Sequence, residues 1–207
     1  MTPSLKVVVA ITSPIAFHQI KNQTILHTCI QSAQDFVNSV PGAQLAIAGS
    51  AADLDKVADI DCEKIVCDPN KPAEFAAALT SAAAAELVMI HDSQRPLTSL
   101  TQFERVFAGL HAEIDAVRPV SPFTETLKSI DAENFIDQTI DRNSMMRIST
   151  PELIRFTTID FDSSNSTWFV PVKNSANLAT VDADPDSARI NSEKDIELMG
   201  YLLDWHK

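Results

Sequence analysis

Glycine is nearly missing from this chain. Its 207 residues hold four, Gly42, Gly49, Gly109 and Gly200, and none precedes residue 42. That is about a quarter of ordinary usage, which runs near 7%. A cradle that wraps phosphate with backbone N–H groups needs glycine for positive φ and for close approach. Such a loop near the N-terminus is therefore excluded. Cysteine is also sparse: Cys29, Cys62 and Cys67 are an odd number with no CxxC pair. That argues against a zinc site and points to a reducing compartment, the cytoplasm. No apolar run approaches the roughly 20 residues needed to cross a bilayer. The opening MTPSLKVVVAI reads as a first strand, not a signal peptide. Positive charge is short as well: 16 Lys and Arg stand against 28 Asp and Glu, a formal net charge of −12. That disfavours nucleic acid and anionic membranes as partners, while leaving room for a local basic pocket. No Gly/Ser-rich or Pro-rich linker divides the chain, so a single domain over residues 1–207 is expected.

What is present is an alternation. Leu5–Ile11, Ala43–Ala48, Lys64–Cys67 and Leu87–Ile90 are short apolar runs of strand character. Between them lie Thr24–Asn38, Ala51–Val57 and Pro72–Ala85, which have helical periodicity or propensity. Ile25, Cys29, Ala33, Phe36 and Val37 share a face of the first helix, with Thr24 as its cap. The order argues for an α/β protein: a mostly parallel sheet with helices on both faces. Ser99–His111 continues as a helix and Ile114–Val120 as a strand. Thr126–Ile130 and Phe135–Ile140 read as two exposed strands joined by a polar DAEN turn. Pro151–Phe156 is expected to be a short helix, Leu178–Val181 a strand and Ser192–Trp205 a closing helix. Trp168 and Trp205 are expected to pack. Phe161–Asn177 has no clear assignment.

The stretch with most chemistry is Glu86–Pro96, ELVMIHDSQRP. An apolar strand ends in His91, Asp92 and Arg95, at the edge where ligands bind in open α/β sheets. Asp92 can hold a cation or orient a hydroxyl, and Arg95 can grip a phosphate with its fork. The alternative is a turn in which Asp92 and Arg95 simply pair with each other. The Asp182–Asp186 run reads as a solvated loop, unless its carboxylates converge with Asp92 to bind Mg2+.

Five segments, in order, resemble the 2-C-methyl-D-erythritol 4-phosphate cytidylyltransferase family. Asn22–Leu26 resembles the start of its first helix, and Val88–Pro96 its HDAARP strand end. Pro119–Asp131 resembles its "PV-x-D-T-x-K" strand. Thr139–Asn143 with Thr150 and Pro151 resembles its "T-x-DR…TPQ" arm, and Arg189–Ile196 its "K-x-T-x-x-D-L" ending. The resemblance implies a Rossmann-like, nucleotide-diphospho-sugar transferase-like fold. It also implies a β-hairpin arm at about 129–150 that crosses to a second subunit, giving a homodimer. It puts Asp92, Arg95 and Arg189 at the catalytic centre, with Asp92 and Asp186 as metal positions. Thr126, Arg142 and Thr150 would contact a small phosphorylated polyol, with Arg142 reaching from the partner subunit. Lys71 would stand in for an arginine of the nucleotide site.

The nucleotide half does not match. Where the family has a glycine-rich loop and a "P-K-Q" segment, Val9-Ala10-Ile11 runs into Thr12-Ser13-Pro14-Ile15, and Ile15 falls where lysine is expected. Cys67–Phe75 likewise lacks the glycines of the family's second nucleotide segment and carries Asp68 and Glu74. Loss of cations from a phosphoryl-transfer site costs about 10³ to 10⁵ in rate. The expectation is a divergent member impaired or inactive toward CTP. Its rivals are an active enzyme with a rebuilt nucleotide site, Mg2+-dependent and using Lys21, Lys71 or His18, and a non-catalytic partner subunit.

Overall fold

The computed structural model describes residues 3–81, 85–163 and 170–205. In chain order the elements are β1 (Leu5–Ala10), β2 (Gln19–Ile20), β3 (Gln23–Thr24), α1 (Ile25–Ser39), β4 (Gln44–Gly49) and α2 (Ala51–Asp55). Next come β5 (Glu63–Val66), α3 (Pro72–Ser81), β6 (Leu87–Asp92), α4 (Leu100–Ala108) and β7 (Ala116–Pro122). They are followed by β8 (Leu127–Ile130), β9 (Ile136–Ile140), β10 (Met146–Ile148), β11 (Glu152–Arg155), β12 (Leu178–Asp182) and α5 (Glu193–Trp205). The helices start where side chains can satisfy their free N–H groups. Thr24 Oγ1 accepts from His27 N–H, Ser50 Oγ from Asp53 N–H and Ser99 Oγ from Gln102 N–H.

β6, β1, β4 and β5 pair in parallel, with Ala10 opposite both Ala48 and Asp92. Both faces of these strands are covered, so their sequences are continuous apolar runs. One face packs Val7, Val9, Leu87 and Met89 against α1 and α4 through Leu26, Cys29, Phe36, Phe103 and Val106. The other packs Val8, Val88 and Ile90 against Phe75, Ala76 and Leu79 of α3, and against Ile159 and Val170. A third cluster of Ile15, Ile20, Ile25, Ile190 and Met199 joins α5 to the loop after β1.

The expected helix at Pro151–Phe156 is instead strand β11. It lies antiparallel between β6 and β7, with Glu152 opposite Ile90 and Leu153 opposite Val117. Leu153 faces one core and Ile154 the other. This is strand alternation, and the open slot between two strands outweighs local propensity. β10 extends along the same edge of β7, and β12 runs parallel on the other edge. Pro119 lies inside β7 at the junction where β10 gives way to β11, between the pairs Val120–Ile148 and Val117–Leu153, and its carbonyl accepts from Ser149 N–H (2.8 Å). Its missing donor falls in that break in the ladder.

β8 and β9 form the expected exposed hairpin, with Asp131 Oδ1 accepting from Glu133 and Phe135 N–H at its turn. Ile130, Phe135 and Ile136 are exposed along it. Trp205, expected to pack, is 86% exposed, because α5 buries the face carrying Ile196, Met199, Leu202 and Leu203. Trp168 and residues 82–84 of the expected Pro72–Ala85 helix lie outside the described residues.

Candidate functional site

The carboxyl ends of β1 and β6 lie side by side, so their two loops share one crevice. Asp92, the last residue of β6, is fully buried there. Its Oδ1 accepts from Gln94 N–H at 3.1 Å. Its Oδ2 accepts from Arg189 Nε at 2.7 Å and lies 3.7 Å from Arg95 Nε. The Asp92–Arg95 pairing expected of a simple turn therefore forms, and Arg189, about a hundred residues on, completes it. Gln94 is the joint between the two segments. Its backbone carbonyl accepts from Ile190 N–H at 2.8 Å, and its side chain bonds the Ile190 carbonyl. Gln94 Oε1 receives Arg189 Nη2 and lies 2.9 Å from Thr12 Oγ1.

A cleft of about 320 Å³ opens beside this cluster, between the β7–β10 ends and residues 183–191. Arg95, Arg147 and Arg189 line it, with Ser121, Ser149 and Ser187 between them. Arg95 Nη1 donates to the Ser187 carbonyl at 2.7 Å. Burial pushes the Arg95 guanidinium below its usual pKa; Asp92 opposes this, while Arg189 and Arg147 add to it. Asp184 also borders the cleft, but its carboxylate is taken by Ser99 Oγ (2.7 Å) and Arg105 Nη2 (2.6 Å).

The candidate residues thus fall into groups. Asp92, Arg95 and Arg189 meet. Thr150 lies just behind them: it is fully buried, its hydroxyl accepts from Asp92 N–H at 3.1 Å, and it pairs with His91 Nδ1 at 3.2 Å. It clasps the end of β6, and its neighbour Ser149 lines the cleft instead. His91 packs on Phe103, and burial lowers its pKa to about 3, with help from the Arg95 charge. It is therefore held as a neutral ring between Thr150 and Phe103. Thr126 and Arg142 lie apart, at the foot of the β8–β9 hairpin, where Arg142 Nη1 donates to the Thr124 carbonyl. Lys71 is exposed at the rim, paired with Glu74 at 2.9 Å; its neighbour Asn70 donates to the Thr12 carbonyl at 3.0 Å.

Asp186 lines a different groove, with Thr28, Ser32, Leu97 and Leu203. Among the described residues no three His, Cys, Asp or Glu side chains gather as metal ligands. The Asp92 carboxylate is already held by two guanidinium groups, so this donor set does not fit a divalent cation. Arg147, Ser149, Ser187 and Gln94 were not expected from the sequence. The one signal for Arg147 is a lone charge in MMRIS, on a strand that also had no sequence signature.

The loop after β1 has no phosphate cradle. Pro14–Phe17 is a 3-10 turn with Ile15 and Ala16 buried. Lys21 turns to Asp204 at 2.6 Å, and His18 lies 3.8 Å from Glu193.

A family model described as 2-C-methyl-D-erythritol 4-phosphate cytidylyltransferase matches residues 9–180. A protein of that name from Nocardia farcinica is 31% identical over 136 residues, covering 62% of this chain and 58% of its own. A bifunctional enzyme IspD/IspF from Rhizobium rhizogenes is 38% identical over 72 residues, 35% of this chain and 18% of its own. The chain thus spans less than two thirds of the length of these curated relatives. Solved structures agree on the fold over nearly the whole chain. A 4-diphosphocytidyl-2C-methyl-D-erythritol synthase from Anaerococcus prevotii superposes with TM-score 0.79 at 16% identity, covering 98% of this chain and 99% of that one. A 2-C-methyl-D-erythritol 4-phosphate cytidylyltransferase from Thermus thermophilus superposes with TM-score 0.71 at 19% identity, covering 99% and 100%. With the HDSQRP turn at the end of β6 and a matching model over most of its length, this chain belongs to the 2-C-methyl-D-erythritol 4-phosphate cytidylyltransferase family.

Proposed function

We propose that this chain binds a small phosphorylated polyol in the cleft beside Asp92 and is impaired or inactive in CTP-dependent cytidylyl transfer. Its relatives are named for joining a cytidylyl group to 2-C-methyl-D-erythritol 4-phosphate, a step of isoprenoid precursor synthesis. The polyol-phosphate side keeps its cations, Arg95 and Arg189, against the Asp92 carboxylate. The observation that carries the reading is on the nucleotide side. Ile15, at the position where the resemblance expects a lysine, is buried with Ile20, Ile25, Ile190 and Met199, so the first loop offers apolar packing in place of a cation. Asp68 and Glu74 flank Lys71 at the rim and would repel a polyanion.

In this reading the exposed β8–β9 hairpin is a dimerisation arm. Arg142 and Thr126 then complete the cleft of the partner subunit, which explains why they lie apart from Arg95 within one chain. The partner is a second copy or an active homologue.

The second reading is a working cytidylyltransferase with a rebuilt nucleotide site. It is favoured by Lys71 sitting at the same sheet edge, tied through Asn70 to Thr12. Calorimetry with CTP and Mg2+, then with 2-C-methyl-D-erythritol 4-phosphate, separates the two. The proposal expects heat only from the sugar phosphate and no pyrophosphate release when both are present. CTP binding with product formation overturns it in favour of the second reading.

A further inference from the structure

The cleft is more cationic than the catalytic positions alone make it. A guanidinium has five N–H donors. Those of Arg189 are mostly spent: Nε on Asp92, Nη1 on Asn191, Nη2 on Thr12 and Gln94. Arg95 gives Nη1 to the Ser187 carbonyl and holds Nε against Asp92. Arg147 gives only Nε, to Ser121 Oγ at 3.1 Å. Among the described residues it has no carboxylate partner, neither Nη group makes a hydrogen bond, and the side chain lines the cleft. We infer that Arg147 is the ligand-facing cation of this cleft and makes it selective for a phosphate monoester dianion.

The charges agree with that ligand. Arg95, Arg147 and Arg189 face one carboxylate, Asp92, while Asp184 is balanced by Arg105. The surplus is two positive charges, held on a chain whose net charge is −12. A phosphate monoester carries nearly two negative charges at neutral pH, its second pKa being about 6. A bidentate guanidinium matches its oxygens. Ser121, Ser149 and Ser187 line the same space; Ser149 and Ser187 are bonded to each other, and Ser121 Oγ holds Arg147 Nε in place. The three guanidinium groups also repel one another, which an anion between them relieves. Arg147 itself is exposed on β10 and anchors nothing in the core, so its loss leaves the fold in place.

This inference rests on the polyol-phosphate reading above, and one titration series tests the two separately. Glycerol 3-phosphate is titrated at low salt into the wild-type chain, R147Q, R147K and K56Q, with dimethyl phosphate as the monoanionic probe. K56Q removes a positive charge far from the cleft, on the Lys56–Asp53 pair. The expected result is wild-type binding of the monoester but not of dimethyl phosphate. R147Q should bind at least about tenfold more weakly, the scale of one lost charge-assisted hydrogen bond. R147K should fall between, since it keeps charge but not the fork, and K56Q should match wild type. Equal binding by R147Q and wild type overturns the role of Arg147 and leaves the polyol-phosphate reading standing. Dimethyl phosphate binding as well as the monoester overturns the selectivity. Failure of the wild-type chain to bind any phosphate monoester overturns both.

Discussion

The segment after β1 and the segment after β12 both reach the Asp92 turn, and they arrive in different condition. Residues 12–22 reach it as a closed unit: a 3-10 turn, a two-residue ribbon, and isoleucines packed under α5. Their cation, Lys21, is spent on Asp204. Residues 183–191 arrive open. They deliver Arg189 to Asp92, carry Ser187 along the wall and leave a cleft beside Arg147. Both meet at Gln94 and Thr12, within one hydrogen-bonded cluster. One edge of a sheet can thus be dry on one side of a carboxylate and cationic on the other. Which side stays open depends on whether a loop brings apolar side chains or donors to it.

The largest way to break this contrast is at Asp92. D92N leaves Arg95 and Arg189 facing each other without their shared carboxylate. Unfolding in urea should lose about 3–5 kcal/mol, the cost of removing one partner of a buried ion pair. Inorganic phosphate should recover part of it by supplying the missing charge. A D92N chain as stable as wild type would mean that Arg189 does not depend on Asp92.

The closed side is tested by I15A. Truncating a buried isoleucine costs about 2–4 kcal/mol, read from the same urea midpoint, while glycerol 3-phosphate affinity should stay within about twofold. A large drop in affinity would show that the loop after β1 is part of the ligand site after all.

His91 supplies a pH handle between the two sides. It is held neutral in the fold, with a pKa near 3 against 6.5 for the free side chain. The unfolded chain therefore binds more protons at this residue below pH 6.5. Its contribution is fully present above that pH and is lost as pH falls toward 3. Acidification from pH 7 to pH 5 should cost about 2 kcal/mol through this group. Urea midpoints at the two pH values check this, and H91N should flatten the difference.

The smallest effect on stability is expected on the hairpin. Phe135 and Ile136 are 70% and 69% exposed, so replacing both with serine should move the unfolding free energy by less than about 0.5 kcal/mol. If the hairpin is a dimerisation arm, the same pair should abolish the dimer in sedimentation equilibrium. An unchanged dimer would assign the contact elsewhere.

Much of this was legible in the residues. Buried parallel strands write themselves as apolar runs, so β1, β4, β5 and β6 could be read directly, as could helices α1 and α4 from periodicity and capping. Two exposed alternating runs around DAEN marked the β8–β9 hairpin. The HDSQRP turn marked the site because polar residues at the end of such a strand have few structural reasons to be there. The missing glycines before residue 42 indicated that the first loop could not be a phosphate cradle, since that requirement is local backbone geometry.

Other features depended on contacts between distant segments. ELIR carries no strong local preference, and it became a strand because β6 and β7 left a slot that needed hydrogen-bond partners. Thr150 matched a ligand-contact motif, yet its hydroxyl went to the backbone of Asp92 and the His91 ring, since a buried polar group must be satisfied where it lies. Arg147 was silent in MMRIS, because an arginine acquires a role only when β10 pairs with β7 and faces the 183–191 segment. By itself, then, the sequence determined the layered sheet, the closed first loop and the position of Asp92, all of which follow from local pattern and backbone chemistry. Only the tertiary structure decided which cations surround that carboxylate and which one lines the cleft without a carboxylate partner, because charge balance in a cleft is set by residues close in space and far apart in the chain.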